Sequence, residues 1–238
     1  MKGLLPSLED KYKSFLQYLS FHSGIKNLTT TDMVHLYKII NIQKQLGIKQ
    51  KSWLTNETFE QMKNLTNLIY TIYDGEEGFN INRDKKIIKL NGGPLLKIIM
   101  NNFDDILLND ITYLHRKNDS YFKANSFKQK LYFSFSVYDT TILSILRLIR
   151  ATDIILKDGG IFPDFAAVLI FELWRRDILN YEIALMYSKN SDSPLENVTR
   201  FIKGCGGGDY CNFEIFKFLI KDLIPIDISK ECETDNSH

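Results

Sequence analysis

Tyr138-Asp139-Thr140-Thr141 is where this chain concentrates residues able to do chemistry. The β-prone stretch Lys130 to Val137 runs into it, and a strongly apolar helical segment follows at once. The pattern predicts a strand, a tight turn and a helix, with a carboxylate at the turn. In an open α/β sheet, such a turn at the carboxyl end of a strand is where ligands bind. A carboxyl group there can pass a proton to a leaving group. It can equally cap the helix that begins near Thr140, and the residues alone leave both readings open. Tyr138 offers one neutral hydrogen-bond donor and cannot become cationic. Its plainer reading is an aromatic at a strand end, which sheets favour.

The other reactive side chains are scattered. His22 and His35 fall in a helical region, His115 in a polar stretch and His238 at the terminus, and none has a nucleophile's surroundings. Arg147 and Arg150 follow the turn on the apolar helix, while Arg175 and Arg176 lie between two strand-like runs. Each arginine reads as a solvated charge rather than a phosphate ligand. No His, Cys, Asp or Glu cluster has zinc-site or calcium-loop spacing, and no cofactor is expected. Cys205 and Cys211 enclose a short glycine-rich loop that can meet disulfide geometry, or they are two free thiols. Cys232 is left over by arithmetic. Sequons at Asn27, Asn56, Asn64, Asn118 and Asn197 suggest a glycoprotein.

Composition narrows the classes. The 238 residues suffice for one large domain or a core plus a lobe. A net charge of +1 gives no electrostatic footprint for nucleic acid. Gly204 to Gly208 is glycine-rich but lacks the Lys-Ser/Thr ending of a phosphate loop. No apolar run is long enough to span a membrane. The opening MKGLLPSLEDKYKSF does not read as a secretory signal peptide.

The elements that must position these residues follow from periodicity. Residues 8 to 70 read as helical, with Leu8, Tyr12, Phe15, Leu16 and Leu19 on one face. Thr30 or Thr31 with Asp32 offers an N-cap before Met33 to Leu46, and a Thr55 to Thr58 cluster precedes a helix to Tyr73. These faces read as core packing. Residues 74 to 84 read as a loop. Gly92-Gly93 is expected to break the chain, with Pro94 in the first turn of a new helix. Residues 109 to 129 read as a surface loop. Ala166 to Trp174 and Tyr181 to Tyr187 read as two strands of a hairpin, the first apolar enough to be buried on both faces. A short amphipathic helix, Phe213 to Leu223, follows the cysteine loop.

Leu90-Asn91-Gly92-Gly93, Tyr138 to Thr141, Phe171-Glu172-Leu173, then Cys205 and Cys211, come in an order that resembles the histidine acid phosphatases. The lysosomal and prostatic branch is the most similar. That family carries His-Asp-Thr-Thr after a comparable strand; here the His position holds Tyr138. The stretch 109 to 125 is longer than the pattern. The family's Arg-His-Gly-x-Arg-x-Pro signature, with its nucleophilic histidine, does not occur in the sequence.

The resemblance implies an α/β fold: a partial doubly wound sheet of the phosphoglycerate-mutase-like, histidine phosphatase kind, with a helical lobe over 1–90 and core over 91–238. It implies phosphomonoester substrates, with Asp139 at the general acid and Tyr138 at a phosphate-binding position. It further implies a Cys205–Cys211 bridge, a secreted or lysosomal location and, as an option, a homodimer. The missing nucleophile and Tyr138 together imply a catalytically defective protein. The alternatives are the C-terminal part of an active enzyme, or a non-catalytic binding or structural module.

Overall fold

The computed structural model describes residues 4–116, 131–152, 154, 161–177 and 180–233. The chain divides into two compact units, Met1–Asp84 and Lys85–His238.

The first unit is helical: α1 (Leu4–Lys11), α2 (Lys13–Ser23), α3 (Thr30–Gln45) and α4 (Asn56–Tyr73). Gly24 ends α2 in the left-handed conformation at φ 79°, where a Cβ is penalised. The cap of α3 lies one step earlier than expected. Thr29, rather than Thr30 or Thr31, accepts from the Asp32 N–H, and the Asp32 carboxylate accepts in return from the Thr29 N–H. This reciprocal box fills two otherwise orphaned donors. Thr55 caps α4 through the Thr58 N–H. The apolar faces meet in a core of Leu16, Leu19, Met33, Met62, Leu65 and Ile69. Tyr37 is buried in it, and burial pushes its phenol up to about 12.

The second unit joins helices to an antiparallel sheet. Its elements are α5 (Lys85–Arg116), α6 (Asp139–Leu148), β1 (Val168–Asp177), β2 (Asn180–Ser188), β3 (Glu196–Asn197), β4 (Cys211–Asn212), α7 (Phe213–Ile220) and α8 (Ile228–Cys232). β2 pairs with β1 on one side; β3 and β4 pair with it in addition. The core draws Leu96, Met100 and Phe103 from α5, Leu143 and Leu146 from α6, Ile183 and Leu185 from β2, and Phe213 and Phe216 from α7.

Several expectations need correction here. Gly92-Gly93 does not break the chain, and Pro94 opens no new helix, because α5 runs through all three. The glycines serve close approach instead. A Cβ on Gly92 would sit 2.7 Å from the Ser144 carbonyl of α6, and one on Gly93 2.5 Å from the Leu223 carbonyl. The helix also covers 109–116 of the expected surface loop; residues 117–129 lie outside the described ones. The hairpin is present, but Ala166 sits in a turn at φ 58°, so β1 starts at Val168. Among the described residues β1 lies at the sheet edge, and it is partly exposed rather than buried on both faces.

The largest departure is at Leu131 to Tyr138, which form no ladder with any described strand. β-propensity is realised through pairing with a neighbour. Without one, Leu131 and Tyr132 stay largely exposed and the expected strand does not form. The α/β class itself holds, with a helical unit and a helix–sheet unit.

Candidate functional site around the first turn of helix α6

The apolar pattern after Asp139 makes α6 buried on all sides: every residue from Ile142 to Leu148 is buried. Such a helix must be entered from a fixed direction, and Tyr138 supplies that entry. Its backbone is extended at φ −80°, ψ 160°, and its carbonyl accepts from the Thr141 and Ile142 N–H groups. Tyr138 is therefore the N-cap residue, though its side chain makes no cap bond. Tyr138 is 81% exposed.

Asp139 is the first helical residue. Its Oδ1 accepts from the Thr140 N–H at 2.8 Å. A carboxylate in a first turn is favoured by the partial positive charge of the helix start. The half-buried Asp139 thus has an electrostatic reason to sit here whatever else it does. Ser144, one turn on, donates back to the Thr140 carbonyl at 2.9 Å.

Of the arginines, Arg147 contradicts expectation. It is 5% exposed on α6 rather than a solvated charge. The sequence signal was there: Arg147 interrupts an apolar run that covers the full circumference of the helix, so no turn of it faces water. Arg150 is exposed at φ 56°, just past the helix. Arg175 and Arg176 are exposed near the end of β1, and Arg176 donates to Glu182 of β2. That bond holds the Arg176 guanidinium above its usual range.

The histidines stay dispersed. His22 stacks on Trp53 with ring centroids 5.6 Å apart, within the helical unit. His35 is exposed on α3. The His115 side chain and His238 lie outside the described set. Among the described residues no group of three or more His, Cys, Asp or Glu is placed to hold a metal ion.

Cys205 and Cys211 form a disulfide with Cα atoms 5.1 Å apart. Asn212, next in the chain, caps α7 by accepting from the Glu214 and Ile215 N–H groups. The bridge thereby fixes the glycine loop to the start of a core helix. Cys232 is an exposed free thiol.

The sequons differ in setting. Asn27, Asn56 and Asn64 are exposed. Asn197 is half-buried, donates to the Asp209 carbonyl and accepts from the Thr199 hydroxyl, which in turn accepts from the Leu185 N–H. Asn118 lies outside the described residues.

A cleft sequence reasoning missed, of about 350 Å³, is lined by Lys85, Lys86 and Lys89 of α5 together with Asp222, Lys230, Glu231 and Glu233. Within it Lys89 pairs with Glu231 at 2.7 Å and holds that carboxyl below its usual range. Among the described residues no helix is long and apolar enough to cross a membrane.

Comparison with known proteins bears on the family. The profile of the histidine phosphatase superfamily (branch 2) matches residues 6–201. The chain is 23% identical to human lysosomal acid phosphatase, over 92% of this chain and 44% of that protein. The Xenopus laevis lysosomal acid phosphatase matches at 23%, over 94% of this chain and 44% of that one. Human prostatic acid phosphatase matches at 25%, over 95% of this chain and 50% of that protein. The chain thus spans about half the length of the curated relatives it matches.

Proposed function

The chain belongs to the histidine phosphatase superfamily, branch 2, and on that premise we propose that it is an acid-phosphatase-like protein without phosphatase activity in this form. Phosphomonoester hydrolysis through a phosphohistidine needs an in-line imidazole, cations around the phosphoryl oxygens and a proton for the leaving alkoxide. Asp139, at the first turn of α6, supports the last of these roles. Tyr138 stands beside it in place of an imidazole, and a phenol cannot give the charge-assisted bonds of a cation. The observation that carries the reading is this pair: an acid retained at the helix start, next to an exposed phenol.

The test is hydrolysis of p-nitrophenyl phosphate at acid pH by the purified chain and by Tyr138→His. No turnover is expected from either, since restoring one imidazole supplies no nucleophile. Turnover by the unaltered chain, abolished by Asp139→Asn, overturns the proposal.

A second reading is favoured by a separate observation. Leu131 to Tyr138 is β-prone, exposed and without a ladder among the described residues, in a chain half as long as its relatives. This supports a part of an active phosphatase, with the secreted or lysosomal setting that its relatives' names suggest. Mapping the 5′ end of the transcript decides it. An upstream Arg-His-Gly-x-Arg-x-Pro segment supports this reading, and a start at Met1 removes it.

A further inference from the structure

Helix α2 carries a second face that its core does not use. Leu16 and Leu19 turn into the core of the helical unit. Tyr18, Phe21 and His22, spaced i, i+3 and i+4, share another side and stand exposed. Phe21 is 82% exposed. These rings are held in place rather than left loose. The Tyr18 hydroxyl donates to the Trp53 carbonyl at 2.8 Å. His22 stacks on the Trp53 ring, 13° from parallel, and Tyr18 and Phe21 meet His22 edge-on at 4.5 and 5.0 Å. Just past the helix, Ser20 Oγ donates to the Ile25 carbonyl at 2.6 Å and ties the exposed Ile25 back to α2. Trp53 lies in the connection from α3 to α4, which also presents the exposed Leu46 and Ile48. Apolar groups concentrated on a surface in this way mark a site that meets something else.

Charge identifies the occupant. Segments 13–26 and 44–54, which build this surface, contain Lys13, Lys26, Lys44, Lys49 and Lys51 and no Asp or Glu. The whole chain has a net charge of only +1, so the lysine excess is local. The next acid along the chain is Glu57, in the first turn of α4. We propose that this surface of the helical unit docks on an anionic lipid membrane. Phe21 enters the boundary between headgroups and acyl chains, and Tyr18 and Trp53 lie at headgroup level, where amphipathic rings collect. Lys26, Lys49 and Lys51 meet the lipid charges, their stems lying along apolar surface while the ammonium groups reach outward. Lysines combined with Trp, Phe and Leu are the composition of surfaces that lie in a membrane interface. A nucleic acid or an acidic glycan would answer the lysines but leave Phe21, Leu46 and Ile48 in water. This reading is independent of any phosphatase chemistry.

The test is co-sedimentation of the full chain, expressed without a glycan at the adjacent Asn27, with vesicles of phosphatidylserine in phosphatidylcholine. Binding is expected, reduced by salt and much weaker on phosphatidylcholine alone. Lys49→Gln with Lys51→Gln is expected to lower the partition coefficient roughly thirtyfold, each lysine near an anionic surface contributing about fivefold. Phe21→Ser is expected to lower it about tenfold. Ile226→Ser, at an exposed apolar residue of the second unit, is the control and is expected to leave binding unchanged. In Trp174→Phe, where Trp53 is the one tryptophan left, brominated lipid is expected to quench the emission. Absence of vesicle binding, binding unmoved by the Phe21 and lysine changes, or binding without quenching of Trp53 overturns the proposal. The last of these, with equal affinity for a single-stranded oligonucleotide, would mark a general polyanion surface instead. All the altered side chains are exposed, and circular dichroism separates lost docking from lost fold. If a surface variant does not fold, quenching in Trp174→Phe still decides, because it reads Trp53 with the surface intact.

Discussion

In the helical unit, α3 and α4 begin at threonine caps and bury Met33, Met62 and Leu65 in a shared core, so each element is specified by residues close to it in sequence. The second unit is assembled the other way. Lys97 of α5 donates to the carbonyls of Pro225 and Ile226, and Lys217 of α7 pairs with Asp104, contacts that span more than a hundred positions. The first unit is therefore tolerant of small changes at any one point. The second depends on a few places where distant segments come close, and among the described residues β1 pairs on one side alone and segment 131–138 joins no ladder.

That contrast is put to its hardest test at Phe216, which is fully buried where α7 meets the sheet core. Phe216→Ala is expected to cost about 3–5 kcal/mol, the range for emptying a large aromatic site, measured by urea denaturation. A loss near that of a surface change would mean that α7 is not an integral part of the second core.

Gly93→Ala is the next largest and the most diagnostic, because two effects of opposite sign compete. In a plain helix interior the change would stabilise by roughly 1 kcal/mol. Here the added Cβ would meet the Leu223 carbonyl at 2.5 Å and Pro225 Cδ at 2.7 Å. Overpacking of that kind costs about 1–3 kcal/mol, and the obstacle is largely backbone, which cannot rotate away. Net destabilisation is expected. A stabilised variant would show that α5 and the segment after α7 do not approach so closely, and the contrast between the units would lose its main support.

The same contrast explains what could be read from the sequence. The helices over 8–70, a cap within Thr55 to Thr58, a hairpin near 166–187 and the α7 helix follow from periodicity and capping chemistry within a few residues, and they were legible. Gly92-Gly93 was not, because a glycine pair has the same local signature whether it breaks a helix or admits a neighbour. The information lies in Ser144 and Leu223. Segment 131–138 has the propensity of a strand but no described neighbour to pair with, and propensity alone does not report whether a partner is present. At the candidate site, the sequence placed Asp139 at the helix start but as its N-cap, a position that Tyr138 takes, with Asp139 the first helical residue. The burial of Arg147 was signalled by the apolar run on every side of it, and that signal was overridden by the strong prior of a charged residue for solvent.

On the helical side, Thr29→Ala is expected to cost about 1 kcal/mol, the usual value of a lost N-cap, as a shift of the urea midpoint. A loss several times larger would mean that this unit, too, hangs on single points.

The finest distinction comes from pH at the same cap. The Asp32 carboxylate accepts from the Thr29 hydroxyl at 2.7 Å and from its N–H at 2.9 Å, and these bonds hold its pKa below the usual aspartate value. A group whose folded pKa is lowered stabilises the fold above its unfolded pKa, and that contribution is lost as pH falls through the lowered value. Asp32→Asn should therefore be less stable than the unaltered chain at pH 6. The gap should hold down to the ordinary aspartate pKa, ~4, and shrink below it as Asp32 itself takes up a proton. Urea midpoints of both proteins between pH 6 and pH 2 follow the gap. A gap that persists unchanged at pH 2 would locate the loss in the altered shape of the side chain rather than in its charge, and the capping box would then be a packing device like the glycines of α5.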